Sequence, residues 1–388
     1  MARILLVDTN ISSLPIYDYL NDAGNEIYVV GNNPNDVLAK CVPNYIQADY
    51  SDVDSLRTVI DQLKIDFLVP GCNDASYKAC ALVNEAGRFP GIETPENCEV
   101  LNNKQKFRVF AKQHGLPVPR VYDRDEIDSS SYPLIVKPVD SFSGRGVTIV
   151  NYDDNESLDE AICNAQKLSK DGKCVIEEFV VGQLYSHSAF IAGGEICSDV
   201  VVEEYCIAYP YAVDTSRVTT KISDQVLKNI RDAIHVIAKE LGLKDGLMHT
   251  QFMSNGTSVW IIEPTRRCPG DLYSRLIDMS TCINYAENYT RPFLGMSFNL
   301  TGAVGIRSFI VRHTLTNRDG GQFITMRFNE AIKVREFVPL SLAGDKIPQA
   351  PAGRIGILFL EACTVGDQES IVTRVITRRL YEDIRIRV

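Results

Sequence analysis

The sequence holds no apolar run close to the roughly 20 residues that a membrane-spanning helix requires. Its opening, MARILLVDTN, meets an aspartate after a short strand-like stretch and shows no signal-peptide cleavage pattern. Both absences lead to the expectation of a cytoplasmic protein with no membrane partner. Positive charge is scarce as well. The formal net charge is −10, so nothing attracts the chain in general to a nucleic-acid backbone, and no nucleic-acid partner is expected. The 11 cysteines are scattered, odd in number and without a C-x-x-C pair, and the 5 histidines supply no ligand cluster beside them. A disulfide framework and a structural zinc site are both disfavoured. The first turn, DTNISSLP, lacks the G-x-G-x-x-G that lets a dinucleotide pyrophosphate approach a helix N-terminus, which argues against a nicotinamide oxidoreductase. Neither a repeat of fixed period nor a low-complexity tract is present, so a solenoid and a disordered tail are excluded too.

What remains is ordinary globular composition, 45% hydrophobic and 23% charged over 388 residues, enough for roughly two to three domains. Short apolar runs at 3–8, 26–31 and 66–70 alternate with helical patterns at 12–23, 52–64 and 75–87, the signature of a small parallel α/β sheet. A basic helix from Lys104 to Gln113 follows, stopped by Gly115 and the stiff segment LPVP. From 133 onward LIVKP, GVTIV, a helix near 156–168, VIEEFV and a hairpin around 185–204 read as an antiparallel α+β unit. A long amphipathic helix is predicted at 223–241, with Val226, Ile230, Ile234, Ile237 and Leu241 on one face and Gly242 as its stop. LMHTQFM and VWIIEP form a hairpin around Asn-Gly. Beyond 300 the chain reads as strands: VGIRSFIVRHT, QFITMRF, AGRIGILFLEACT and SIVTRVITR. The expected fold class is thus α/β and α+β, with a domain boundary near 95–100 and a β-rich C-terminal subdomain from about 300.

Three pieces carry chemistry. In LIVKPVDSFSGRGV a strand fixes Lys137 as a point cation, and Ser141, Ser143, Gly144 and Gly146 make a turn slim enough for backbone N–H groups to close on phosphate oxygens. A hairpin with a Ser/Gly-rich turn reads the same way. The hairpin HTQFM to WIIEPTRR sets Gln251 and Glu263 on neighbouring strands, where two hard oxygens could converge on Mg²⁺, although either residue alone reads as a surface polar group. Arg266 and Arg267 follow at once, forked donors suited to a transferring phosphoryl group or a carboxylate, or else a solvated basic turn. Asp271 is expected to cap the next helix, and His249 to pack beside the hairpin. The third piece, CVIEEFVVG, offers backbone and apolar contacts to an adenine edge through Phe179 and Val180, or is an edge strand with two exposed glutamates. Arg217, in YPYAVDTSRVTT, is read as a solvated loop charge or, second, as a substrate contact.

With Lys104, the VKP strand and its glycine turn, IEEFVVG and the Q…E hairpin in this order, the sequence resembles the ATP-grasp superfamily, in its carbamoyl-phosphate synthase large-chain-like and carboxylate–amine ligase branch; GLMHTQF carries the former likeness. The resemblance implies a Rossmann-like pre-ATP-grasp domain at 1–97, a two-lobed ATP clasp at 98–300 and a β-rich C-terminal extension at 301–388. It implies ATP as cofactor, with Mg²⁺ or Mn²⁺. Lys104 and Lys137 match phosphate-contacting lysines, Ser141 to Gly146 the mobile loop, and Glu177, Glu178, Phe179 and Val180 the adenine hinge. Gln251 and Glu263 match metal ligands. The third ligand position, often Asn, is Thr265, and Gln183 and Leu184 stand where a ribose carboxylate is common. Arg267, Arg266 and Lys137 are the catalytic candidates, with no nucleophilic Ser, Cys or His. The implied activity is ATP-dependent carboxylate–amine ligation: a small-molecule carboxylate becomes an acyl phosphate and an amine displaces phosphate, releasing ADP. An ATP-binding regulatory protein without turnover is the alternative. A homodimer is the expected assembly, being the commonest for a soluble enzyme.

Overall fold

The computed structural model describes residues 2–386, apart from 142–143, 154–156, 220, 301–304 and 317–318, and only the backbone of 383–386. Four strands, β1 (Arg3–Val7), β2 (Glu26–Gly31), β3 (Tyr45–Gln47) and β4 (Phe67–Pro70), pair in parallel in the order β3-β2-β1-β4. Helices α1 (Leu14–Asp22), α2 (Val37–Cys41), α3 (Val53–Leu63) and α4 (Asp74–Val83) lie between or after them. Central strands flanked by helices bury both faces, which is why Leu5, Leu6, Val7, Leu68 and Val69 form unbroken apolar runs. The helix starts are set by side chains: Asp52 accepts from Asp54 N at α3, and Asn73 accepts from Ser76 N at α4. The second cap puts Asp74 at the carboxyl edge of the sheet. Helices α5 (Pro95–Asn102) and α6 (Lys104–Gln113) then share Asn103, which ends one and caps the other through Lys106 N.

An antiparallel three-stranded sheet follows, with β5 (Leu134–Pro138) between β6 (Thr148–Val150) and β7 (Cys174–Glu178). Helix α7 (Leu158–Leu168) covers it, started by a capping box between Ser157 and Glu160. Its Leu158, Ala161 and Ala165 join Leu134, Val136, Val150 and Ile176 in a small separate core.

The remaining strands are β8 (Gln183–Ala192), β9 (Glu195–Tyr205), β10 (Thr215–Val218), β11 (Gly246–Ser254), β12 (Val259–Thr265), β13 (Phe309–Leu315), β14 (Gly321–Phe328), β15 (Val334–Pro339), β16 (Lys346–Ile347), β17 (Gly356–Ala362) and β18 (Tyr381–Ile386). Most of them build one large sheet in the order β12-β11-β8-β9-β10-β13-β17-β15, and β16-β14-β18 form another. Helix α8 (Asp224–Glu240), capped by Ser223, lays Val226, Ile230, Ile234 and Ile237 on a core with Met248, Phe252 and Ile261. Each such side chain stabilises the fold by about 1.5–3 kcal/mol relative to exposure. Helices α9 (Tyr273–Ser280), α10 (Tyr285–Thr290) and α11 (Val365–Ile376) complete the fold.

Three expectations need correction. SIVTRVITR is not a strand but the body of α11, which Thr364 starts by accepting from Asp367 N; Ile371, Val372 and Val375 are buried on one helix face, so packing overrides their β-branched preference. Asp271 does not cap α9: Leu272 is the cap residue, without a side-chain bond, and Asp271 sits at φ +54° with its carboxylate bound by Arg354. Arg217 is not a loop charge but a buried residue of β10, paired with Glu203 at 2.6 Å. The large sheet draws strands from both sides of position 300, since β13, β17 and β15 extend it from β10.

Candidate active site

Cations gather where α6 crosses the small sheet. Lys137 on β5 and Glu177 on β7 are diagonal neighbours on one face, and their Nζ and Oε2 meet at 2.7 Å. Arg108 on α6 takes the other oxygen, Nε to Glu177 Oε1 at 2.6 Å, and donates Nη2 to Ile262 O at 2.9 Å. All three are buried. Burial pushes the Glu177 carboxyl up, but Lys137 and Arg108 overcome it and hold the group at about 2. Burial lowers the Lys137 ammonium, partly offset by Glu177. Lys104, one turn before Arg108 on the same helix face, donates to Ser141 O at 2.7 Å and lies 3.7 Å from Glu263 Oε2. It therefore touches both the glycine turn and the opposite hairpin.

The turn after β5 is fixed by its glycines. Gly144 and Gly146 both have positive φ, +69° and +75°, and a Cβ on Gly144 would stand 2.2 Å from that of Tyr211. Tyr209 OH donates to Gly144 O at 3.2 Å, and Ser141 Oγ donates to Arg145 O at 2.8 Å. Ser143 lies outside the described residues. At the end of β7, Glu178 accepts from Arg120 N at 2.9 Å and Phe179 N donates to Pro133 O at 3.0 Å; Phe179 and Val180 are half-buried. The hinge segment thus differs from the expectation at Glu177, whose carboxylate is held by two cations rather than offered to a base.

The facing wall is made of oxygens. In the register of β11 and β12, Gln251 sits opposite Glu263 and His249 opposite Thr265. Both pairs face the same way because strand residues two apart share a face. Gln251 Nε2 donates to Glu204 Oε2 at 2.8 Å, which leaves its amide oxygen as a hard donor beside Glu263. Glu204 is buried on β9, and burial raises its pKa despite hydrogen bonds from Ser186 and Gln251. Glu263 is the open member, its side chain 44% exposed. Thr265 donates Oγ1 to Asp74 Oδ1 at 3.3 Å and accepts from Arg267 N at 3.4 Å. Its hydroxyl is occupied, and the third carboxyl-type oxygen near the pair is that of Glu204 rather than Thr265. Among the described residues, no three His, Cys, Asp or Glu side chains form a metal cage. His249 is buried, its Nδ1 3.0 Å from Ser188 Oγ, and burial holds its pKa at about 3, so it stays neutral at ordinary pH.

The two arginines part company. Arg267 meets Asp74 with two bonds, Nε–Oδ1 at 2.8 Å and Nη2–Oδ2 at 3.1 Å. Arg266 lies in the interior, donating to Lys244 O at 2.6 Å and pairing with Glu93 Oε1 at 3.2 Å. Adjacent residues at a strand end point to opposite sides, so Arg266 does not join the cluster expected of it.

Residues 130–274, which span the glycine turn, the hinge and the oxygen hairpin, match the ATP-grasp domain family. That stretch of the chain is thus similar to an ATP-grasp domain. The phosphoribosylamine–glycine ligase of Pyrococcus furiosus is 26% identical over 293 residues, 69% of this chain and 66% of that protein, so the chain spans just under two thirds of that relative's length. The carbamoyl phosphate synthase large chain of Methanospirillum hungatei is 25% identical over 268 residues, 64% of this chain and 25% of that protein. In fold, the chain resembles the crystal structure of the L-amino acid ligase from Bacillus licheniformis, with a TM-score of 0.80 at 18% identity, covering 100% of this chain and 99% of that one.

Three residues of this site were not found by sequence reading. Arg108 had a signal, its four-residue spacing from Lys104 on a helix. Glu204 had a weak one, a glutamate inside the apolar strand VVVEEY. Asp74 had none, because its partner is 193 residues away.

Proposed function

We propose that the protein is an ADP-forming carboxylate–amine ligase that activates a small-molecule carboxylate as its acyl phosphate and joins it to an amine. The observation that carries this reading is the Lys104 Nζ to Glu263 Oε2 approach of 3.7 Å, which ties the cation wall to the oxygen wall across one cleft. Bound ATP supplies the phosphoryl group, and Mg²⁺ or Mn²⁺ screens its charge. Lys137, Lys104 and the N–H groups of the 141–146 turn hold phosphate oxygens, and Phe179 and Val180 flank the base. Glu263 and Gln251 would hold the ion, whose charge would offset that of the phosphates. Arg267 faces the reacting carboxylate and developing charge. Arg266, buried with Glu93, has a structural part. The division into 1–97, 98–300 and 301–388 goes with this reading as a working description of the chain.

The relatives' phosphoribosyl substrate is not carried over. Ligands of open parallel sheets bind at the carboxyl ends of the strands, and the loops there, 8–13, 31–36, 48–52 and 71–74, contain Asp8, Asp36, Asp49, Asp52 and Asp74 and no lysine or arginine. A phosphate dianion finds no lysine or arginine within these loops, which supports amino-acid-like substrates without a phosphate ester. The test is release of ADP and phosphate from Mg·ATP with pools of amino acids and other carboxylates, using Lys137→Ala as the blank. Turnover requiring both an acid and an amine is expected. ATP bound without ADP formation from any pool would overturn the reading in favour of a regulatory ATP-binding protein.

A further inference from the structure

Arg267 is anchored by a residue that belongs to neither wall of the cleft. Asp74 is the first residue of α4, set at the carboxyl edge of the parallel sheet by the Asn73 cap. It grips Nε and Nη2 of Arg267 at 2.8 and 3.1 Å, and the Thr265 hydroxyl adds a third tie to the same carboxylate at 3.3 Å. A guanidinium is planar, so two fixed donors fix the third. Among the described residues the third, Nη1, meets the Cys268 carbonyl at 3.5 Å, and the side chain remains 19% exposed. Glu263 lies within electrostatic reach of Arg267, as Lys104 does of Asp74. Arg266 provides the internal contrast, since it pairs with Glu93 in a contact of which 2% and 1% of the side chains are exposed. One arginine is sealed from solvent together with its carboxylate; the other is held by its carboxylate and stays partly exposed.

We infer that Asp74 is a positioning residue, holding the Arg267 plane beside Glu263 and Lys104 so that Nη1 is free for an oxygen of the transferring phosphoryl group or its acceptor. The inference rests on the ligase reading above. It makes the parallel-sheet layer a contributor to phosphoryl transfer as well as to substrate binding, because the carboxylate that orients the arginine sits on the rim where the substrate is expected. An arginine left to rotate would still carry its charge but would have to be ordered in each turnover, so the loss falls on the transition state rather than on nucleotide binding.

The test compares the affinity of Mg·ADP with that of Mg·ADP plus aluminium fluoride, a mimic of the phosphoryl group in flight, by calorimetry on the full chain. In wild type, aluminium fluoride is expected to tighten binding. Asp74→Asn should bind Mg·ADP as wild type does but lose at least about tenfold of the tightening, Arg267→Ala should lose as much, and Asp74→Glu should recover part of it. Glu93→Gln, which frees Arg266, should lower the melting temperature without changing the ratio of the two affinities. An Asp74→Asn protein that keeps the full ratio, or in which both affinities fall together with the melting temperature, overturns the assignment. If Arg267→Ala loses the tightening and Asp74→Asn does not, Asp74 alone is wrongly assigned. If wild type gains nothing from aluminium fluoride, the phosphoryl-transfer reading itself falls, and the role of Asp74 with it.

Discussion

The two walls of the cleft hold similar charges in opposite ways. On the α6–β5–β7 wall, Arg108 and Lys137 share the single carboxylate of Glu177, and the three side chains are 4%, 9% and 0% exposed. Two cations against one anion leave a surplus positive charge in a place where water cannot screen it, a standing attraction for an anion. At the β11–β12 wall, Glu263 is met by Lys104 from α6 and Arg267 by Asp74 from α4, a balanced set in which Glu263 is the most exposed member. The sealed wall is built before any ligand arrives. The open wall keeps a carboxylate in solvent that can exchange a lysine for a metal ion at little cost, since a screened pair contributes on the order of 1 kcal/mol or less.

The sharpest way to break this comparison is to remove the central carboxylate of each wall. Glu177→Gln leaves Arg108 and Lys137 buried without a counter-ion and should destabilise the protein by about 3–5 kcal/mol in denaturant melts. Glu263→Gln should leave the melt within about 1 kcal/mol of wild type while lowering ADP formation by at least about a hundredfold. Equal effects of the two substitutions on stability would show that the walls do not differ as described.

The twin arginines sharpen it further. Arg266→Met should cost about 2–4 kcal/mol of stability by leaving Glu93 buried and unpaired. Arg267→Met should mainly lower turnover, which thermal melts and ADP release measured side by side distinguish.

Acid should find the sealed wall first. Glu177 is held at about 2 in the folded state, below the ordinary glutamate value near ~4.3. Its contribution is therefore present above that ordinary value and is lost as the pH falls toward about 2. The shift corresponds to about 3 kcal/mol, and Glu177→Gln should remove this part of the acid dependence in melts between about pH 5 and pH 2.

The smallest effect lies outside the cleft. Burial pushes the Asp278 carboxyl up to about 7, against a hydrogen bond from Tyr285 N. A carboxyl raised in this way favours the folded state below its unfolded pKa, and that advantage fades as the pH rises through about 7. Asp278→Asn, which keeps an acceptor oxygen and carries no charge, should stabilise the protein at pH 8 by about 1–2 kcal/mol and by little near pH 4. An unchanged or lower melting temperature at pH 8 would contradict this.

Much of the fold was legible because its signals are local. The apolar runs of β1, β2 and β4, the stripe of α8 and the Asn255-Gly256 turn of the hairpin each follow from a period or a turn residue within a few positions. The face shared by Gln251 and Glu263 follows from strand alternation once the hairpin is placed. The misread segment, 370–378, is rich in Ile, Val and Thr, and only its packing against β13 and β17 selects the helix. Glu177 was misjudged for a related reason: a glutamate in a strand looks like a surface charge until the helix bearing Arg108 is laid across it.

The residue types proposed to hold phosphate and a divalent ion, and the order in which they come, belong to the sequence alone, because Lys137, the glycines after it, Gln251 and Glu263 each sit in a short motif whose geometry the backbone dictates. Which charges neutralise one another was decided only by the tertiary structure. The partners of Arg267 and Arg108 lie 193 and 69 residues away, and an ion pair depends on a few ångströms in space, a distance that no spacing along the chain encodes.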